Sequence, residues 1–163
     1  MSANFENRRF IRHAVLSEID IIAELVRETI KTVYPQYYPS GAVDFFLAHH
    51  KPEKIASDIE AEKVFVTEAD GVIVGTVTIN GNDIARLFVK PSEQGKGHGG
   101  RLIDFAENII FGYSETVRLD SSLPAKSIYL KRGYKEKEYH KILTDNGDFL
   151  CYDIMEKNIV NNI

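Results

Sequence analysis

A glycine-rich turn at residues 93–100 carries the clearest chemical signal in the sequence, Glu-Gln-Gly-Lys-Gly-His-Gly-Gly. The apolar spacing after the turn predicts a helix, yet the turn contains no Ser, Thr, Asp or Asn that would cap it. The first backbone N–H groups of that helix therefore lack partners, and glycine lets another group approach them closely. A phosphate accepts such N–H groups and is stabilised by the positive end of a helix. The turn is predicted to bind a phosphate-containing ligand, with a flexible loop as the alternative.

The kind of phosphate ligand is less clear from the turn alone. Gly95, Gly97 and Gly100 match the dinucleotide pattern Gly-x-Gly-x-x-Gly, and Asp120 stands where an acid that binds ribose is expected. The Walker A pattern is absent, because no Gly-Lys-Ser/Thr follows at the required spacing. The context disfavours a dinucleotide, since the preceding strand is predicted to be the third of an antiparallel meander. A dinucleotide-binding protein stays as the weaker alternative.

The composition limits the class of protein. The chain has 163 residues, 44% of them hydrophobic, with 20 Lys and Arg against 24 Asp and Glu. This size predicts a single domain over residues 1–163, and the acidic balance argues against a nucleic-acid partner. The single cysteine, Cys151, excludes an internal disulfide. The histidines show no metal-ligand spacing with one another or with Cys151, so no metal is expected.

The N-terminus and the hydropathy indicate where the protein works. The first ten residues lack the apolar core of a signal peptide, and no apolar run approaches the roughly 20 residues that a membrane span needs. We therefore expect a cytoplasmic protein with no membrane partner.

The elements that must hold the glycine turn follow from hydrophobic periodicity and from turn residues. Four helical regions are predicted. The first runs from a cap at Ser17 to Pro35, the second covers residues 42–59 with a break near Pro52, the third follows Gly100, and the fourth covers residues 125–132. Strands are predicted at residues 10–15, 64–69, 72–79, 84–89, 116–120, 134–143 and 149–155. Asp70-Gly71, Asn80-Gly81 and Asn146-Gly147 are typical of tight hairpins. The order predicts an α/β protein of mixed α+β type, with a central mixed, mostly antiparallel sheet of about seven strands and helices on both faces.

With this order, the sequence resembles the GCN5-related N-acetyltransferase (GNAT) superfamily. The acetyl-CoA signature of that family, Gln/Arg-x-x-Gly-x-Gly/Ala, is matched by Gln94-Gly-Lys-Gly97-His-Gly99. A second family feature is a Tyr shortly before Gly-Phe/Tyr, and it is matched by Tyr129 and Gly133-Tyr134. The resemblance extends from residue 10 to about residue 155, and it implies the acyl-CoA N-acyltransferase fold.

The resemblance implies acetyl-CoA as the co-substrate and assigns residues to it. The pyrophosphate would be held by the turn, that is by Gln94, Gly95, Lys96, Gly97, His98, Gly99 and Gly100. The pantetheine arm would lie beside the strand edge of Leu87, Phe88 and Val89, where this strand splays from the strand at 116–120. Ser122 stands where relatives often have an Asn that contacts the cofactor. The side chain of His98 is expected to face solvent.

The implied reaction is direct transfer of the acetyl group to a primary amine, in a small molecule or a peptide, within a ternary complex. Tyr129 would act as the general acid toward the departing thiolate. Relatives often carry an acidic residue in the strand before the signature, where this chain has Ala85 and Arg86. The nearby carboxylates of Asp83, Asp120 and Glu68 are the alternatives for the base, of which we favour Asp83 and Asp120. A sensor that binds acyl-CoA without turnover is the competing function.

Acceptor specificity is expected from the segment after the first helix. This segment is rich in aromatic and imidazole side chains, namely Tyr34, Tyr37, Tyr38, Phe45, Phe46, His49 and His50. They would either wall an acceptor pocket as a lid or pack a helical hairpin onto the sheet. Exposed strand edges near the C-terminal end are compatible with a homodimer.

Overall fold

The computed structural model describes residues 11–159, which form seven strands and five α-helices. The strands are β1 (Ile11–His13), β2 (Val64–Ala69), β3 (Val72–Asn80), β4 (Asp83–Val89), β5 (Thr116–Ser121), β6 (Lys135–Leu143) and β7 (Phe149–Asn158). The helices are α1 (Ile19–Val33), α2 (Ser40–His49), α3 (Pro52–Glu60), α4 (His98–Ile110) and α5 (Lys126–Lys131). Short 3-10 turns lie at Leu16–Glu18, Tyr34–Gln36 and Pro91–Glu93.

The strands form one open sheet in the order β1-β2-β3-β4-β5-β7-β6. Every neighbouring pair is antiparallel except β4 and β5, which pair in parallel at Asp83 with Arg118 and at Ile84 with Leu119. The predicted mixed, mostly antiparallel sheet of seven strands is confirmed. β4, α4 and β5 do form a parallel βαβ unit around the glycine turn, but every other described pair of strands is antiparallel, unlike the doubly wound parallel sheet in which a dinucleotide fingerprint occurs.

Two hydrophobic clusters cover the two faces of the sheet. Successive side chains of a strand point to opposite faces, so Val64 and Val66 belong to one cluster and Phe65 to the other. The first cluster contains the apolar stripe of α1, with Ile22 and Ile30 fully buried, and also the inner residues of α2 and α3. The second contains the buried side of α4 and Tyr129 of α5. Helices therefore lie on both faces, as predicted.

The predicted helix cap at Ser17 is wrong. Ser17 lies inside a 3-10 turn, α1 begins at Ile19, and no side chain caps it. The neighbouring Glu18 accepts hydrogen bonds from the Arg12 guanidinium, with Nη1 to Oε1 at 2.8 Å, and from the Val15 N–H at 3.3 Å. This charge-assisted contact ties the turn before α1 to β1.

Other element boundaries shift by a few residues. The segment after Pro35 is more regular than predicted, because it holds a 3-10 turn and α2 begins at Ser40. β7 continues to Asn158, three residues past its predicted end, because it pairs with β5 as far as Thr116. β1 ends at His13, and the predicted strand start at residue 10 lies outside the described residues.

The hairpin between β6 and β7 anchors the first turn of α2. The Gly41 N–H donates to Asp148 Oδ2 at 2.9 Å, and Thr144 and Asn146 pack against the same glycine. A Cβ atom at Gly41 would overlap the Asn146 side chain, so only glycine permits this approach. The hairpin therefore sets the position of α2, whose last residues reach the candidate site.

Candidate active site

The backbone of the glycine turn is shaped to hold an anion. Gly95 and Gly97 have φ of +79° and +88°, and Gly97 precedes the first residue of α4 in a left-handed conformation without a side-chain cap. Among residues 11–159, no group accepts a hydrogen bond from the backbone N–H groups of residues 95–100. These free donors at the positive helix end suit a phosphate.

Side chains around the turn hold it in place. Gln94 Nε2 donates to the Val89 carbonyl oxygen at 3.0 Å, which ties the turn to the end of β4. Lys96 Nζ lies 3.1 Å from Glu93 Oε2. The prediction that His98 faces solvent is wrong, since its side chain is 11% exposed. Its Nε2 lies 3.7 Å from Glu93 Oε2, and its Nδ1 accepts a hydrogen bond from Arg101 Nη2 at 2.8 Å.

A groove of about 440 Å³ runs from the glycine turn along β4 to α5. Most residues assigned to the co-substrate line it, namely Leu87, Val89, Gln94, Gly95, Gly97, His98, Gly99, Gly100, Ser122 and Tyr129. Phe88 points to the opposite face of the sheet, and Lys96 is not among the lining residues. β4 and β5 separate beyond Ile84 and Leu119, where their pairing ends, and the groove residues Leu87, Val89 and Ser122 lie past that point.

Tyr129 lies at the inner end of this groove. Its ring meets Tyr134 edge to face at 5.4 Å, and the Tyr134 hydroxyl donates to Glu107 Oε1 at 3.3 Å. Lys157 Nζ balances the Glu107 charge at 2.7 Å. Burial raises the pKa of Tyr129 far above its ordinary value, so its hydroxyl stays protonated.

A second cavity of about 230 Å³ opens on the other side of Tyr129. The two cavities share five lining residues, Tyr34, Leu87, Ser122, Ala125 and Tyr129. A molecule in the groove and one in the second cavity would therefore meet at Tyr129.

Side chains of the aromatic segment divide between core and cavity. Tyr34 and Tyr38 are buried, and the Tyr38 hydroxyl accepts from the Leu123 N–H at 2.7 Å and donates to the Cys151 carbonyl at 3.3 Å. The members that line the second cavity are Tyr34, Phe45, Phe46, His49 and His50. The segment therefore packs onto the sheet and also lines the second cavity, and its role toward an acceptor stays a prediction.

A buried arginine stands at the back of the second cavity. The side chain of Arg86 is 3% exposed and donates to Asp58 Oδ2 at 3.2 Å, to Thr78 Oγ1 at 3.0 Å and to His50 Nδ1 at 3.3 Å. Burial lowers the pKa of Arg86, and Asp58 opposes this effect. Burial and the Arg86 charge lower the pKa of His50 to about 3. No sequence pattern pointed to Asp58 or Thr78 as members of this cluster.

The predicted base residues lie in different places. Asp120 lines the second cavity, 3.8 Å from Arg118. Asp83 Oδ1 pairs with Arg118 Nη1 at 3.1 Å, and Asp83 lines neither cavity. Glu68 pairs with Arg12 on the edge of the sheet.

In the part of the chain that the structure describes, no helix is long and apolar enough to cross a bilayer, and no cluster of three metal-ligating side chains occurs.

The open sheet, the splayed β4–β5 pair and the glycine turn define the acyl-CoA N-acyltransferase fold. A model of the acetyltransferase (GNAT) domain matches residues 33–147, and the chain belongs to this family. A search of curated proteins finds no match.

Solved structures agree with this assignment. A GCN5-related N-acetyltransferase from Rhodopseudomonas palustris is 22% identical, with a TM-score of 0.84, over 91% of this chain and 94% of that one. The PaiA N-acetyltransferase from Thermoplasma acidophilum, solved with coenzyme A, is 25% identical, with a TM-score of 0.71, over 91% and 98%. A putative acetyltransferase from Salmonella typhimurium, solved with acetyl-CoA, is 17% identical, with a TM-score of 0.69, over 94% and 95%.

Proposed function

We propose that this protein transfers the acetyl group of acetyl-CoA to a primary amine within a ternary complex. The observation that carries the proposal is that two cavities of different character meet at Tyr129. One has the free backbone donors that a pyrophosphate needs, and the other has space for an acceptor. The Thermoplasma relative, which was solved with coenzyme A, supports the same co-substrate.

The residues present in the groove fit acetyl-CoA, which when bound supplies an activated acetyl thioester. We assign the pyrophosphate to the N–H groups of residues 95–100, next to Lys96. Leu87 and Val89 would flank the pantetheine arm on the free edge of β4. Ser122 lies where the two cavities join.

We assign the acceptor amine to the second cavity. Its volume and aromatic walls favour a small amine over a folded protein surface. Tyr129 would donate a proton to the departing thiolate, because its raised pKa keeps the hydroxyl protonated. Of the two carboxylates favoured from the sequence, we retain Asp120 as an acceptor-site residue, since Asp83 lines neither cavity. We retain the single domain over residues 1–163 and the homodimer as predictions.

The test is acetylation of a panel of primary amines by the wild-type protein and by Tyr129→Phe. We expect the wild type to acetylate at least one amine and the variant to lose about 100-fold or more in kcat, the usual contribution of general acid–base catalysis. Calorimetric titration with acetyl-CoA should give similar affinities for both proteins. Binding of acetyl-CoA without turnover of any amine would replace the proposal with an acyl-CoA sensor.

A further inference from the structure

The second cavity, to which we assigned the acceptor and which we now call the acceptor cavity, has no carboxylate on β4 that could remove a proton from the amine. Arg86 is the charged β4 residue that lines the cavity, and its guanidinium already donates hydrogen bonds to Asp58, Thr78 and His50. A primary amine is mostly an ammonium ion at neutral pH and must lose a proton before it attacks a carbonyl carbon. Another group in the cavity must therefore accept that proton.

His49, the last residue of α2, lines the same cavity as Tyr129. Its ring stacks on Phe45 at 6.2 Å between centroids and meets His50 at 4.9 Å. Within residues 11–159, the ring nitrogens of His49 take part in no hydrogen bond, whereas Nδ1 of His50 is occupied by Arg86. Within the described residues, both ring nitrogens of His49 are thus free to meet a ligand, whereas His50 has only Nε2 free.

The charges around the cavity keep His49 neutral. Partial burial of the ring lowers its pKa below the ordinary histidine value, and the positive charges of Arg86 and Lys54 lower it further, while Asp120 opposes them. The other titratable groups that line the cavity are His50, Tyr34, Tyr129 and Tyr152. At neutral pH the imidazole is therefore a free base, and the same positive field favours the neutral form of an amine bound beside it.

We propose that His49 is the general base that accepts the proton of the acceptor ammonium. This inference rests on the proposed acetyl transfer and assigns the base for it. The nitrogen of the acceptor gives one proton to His49 and then bonds to the acetyl carbon, while the C–S bond breaks. The thiolate takes the proton of Tyr129, the second proton of the nitrogen restores Tyr129, and the proton on His49 passes to water.

The carboxylate of Asp120 then has a supporting role. Asp120 lines the same cavity, and its negative charge raises the pKa of His49. The imidazolium that forms during the reaction is therefore stabilised from the open side of the cavity. Asp120 is a positioning and electrostatic residue in this scheme, and the proton goes to His49.

The variant that tests the inference is His49→Gln, with His13→Gln on β1, outside both cavities, as the matched control. The acceptor probes are 2-phenylethylamine, which is an ammonium ion at neutral pH, and aniline, which is already neutral. We expect His49→Gln to lower kcat/KM by about 100-fold or more with 2-phenylethylamine and by less than about tenfold with aniline. The control should keep wild-type rates with both.

The pH profile provides a readout that a purely structural role would not change. In the wild type, kcat should fall with decreasing pH through a pKa below that of free histidine, because protonated His49 accepts no proton. This decrease of kcat at low pH, the acidic limb of the profile, should be absent from His49→Gln. An equal loss with both probes, or an unchanged acidic limb, would overturn the role of His49.

Calorimetry with coenzyme A separates failure of this inference from failure of the proposed function. His49→Gln should bind coenzyme A like the wild type, because His49 does not line the groove. A wild-type protein that acetylates neither probe nor any other primary amine would remove the proposed function, and the role of His49 with it. An active wild type with an equally active His49→Gln would overturn the inference alone.

Discussion

The groove and the acceptor cavity meet at Tyr129 but are built from different parts of the chain. The groove offers free backbone N–H groups, and small residues such as Gly95 and Gly97 form the end to which we assign the pyrophosphate. The cavity is shaped by large side chains and has the buried Arg86–Asp58 pair behind it. The groove thus depends on local backbone conformation, whereas the cavity depends on contacts between distant elements.

This difference indicates which of the two sites can vary its ligand by mutation. A backbone-built site suits one constant ligand, since the N–H groups cannot be varied by mutation. A cavity walled by side chains can be changed residue by residue, and our proposal assigns the choice of acceptor and of base to it. Substitutions at the two sites should accordingly have separable effects on coenzyme A binding and on stability or turnover.

The largest expected effect comes from Arg86→Met, which leaves Asp58 buried with only the largely exposed Lys54 as a charged partner. Removal of one member of a buried ion pair costs about 3–5 kcal/mol. We expect that decrease in the free energy of unfolding by urea titration, with an unchanged dissociation constant for coenzyme A in calorimetry.

The matched control for that variant is Arg118→Met on β5, whose guanidinium pairs with Asp83 at a partly exposed site. Such surface pairs contribute about 0–1 kcal/mol. The double variant Arg86→Met/Asp58→Leu should recover much of the lost stability, because no unpaired charge remains. Equal costs for Arg86→Met and Arg118→Met would show that the cavity does not depend on its buried charges.

An intermediate effect is expected from Gly97→Glu in the groove. A side chain at φ +88° is strained, and a carboxylate at the N-terminus of α4 repels the pyrophosphate. Loss of one hydrogen bond to a charged group costs about 1.5–3 kcal/mol, so coenzyme A should bind about 10- to 100-fold more weakly. Gly71→Glu in the β2–β3 turn has a similar φ and open surroundings, and it should keep wild-type affinity in the same titration.

The smallest effect concerns the pH dependence of stability through His50. Above pH 6.5 its imidazole is neutral in both the folded and the unfolded chain. Between pH 6.5 and the folded pKa of about 3, the unfolded chain binds a proton that the native state does not, so stability falls as pH falls. Between pH 6 and pH 5 the wild type should lose about 1 kcal/mol more than His50→Gln in urea titrations. Parallel losses in the two proteins would contradict the lowered pKa of His50.

The difference between the groove and the cavity also explains how much of the structure could be predicted from the sequence. The sheet and the groove were accessible because hairpin turns such as Asn80-Gly81, the glycine turn and the Tyr129 motif are local patterns. The cavity was not, because Asp58 and Arg86 are 28 residues apart and meet only when α3 packs against β4. The Ser17 cap was wrong for a related reason, since Glu18 binds Arg12 on a different element.

The early end of the β4–β5 pairing has a consequence for the mechanics of the whole sheet. Past Ile84 and Leu119 the two strands separate. The described sheet therefore consists of two parts, β1 to β4 and β5 to β7, which pair with each other at only two positions. A molecule that hydrogen bonds along the free edge of β4 would add to the contacts between the two parts, as an added strand does. A ligand in the groove would then restrict the motion of one part relative to the other, so the protein would be most rigid with its ligand bound and most flexible after its product has left.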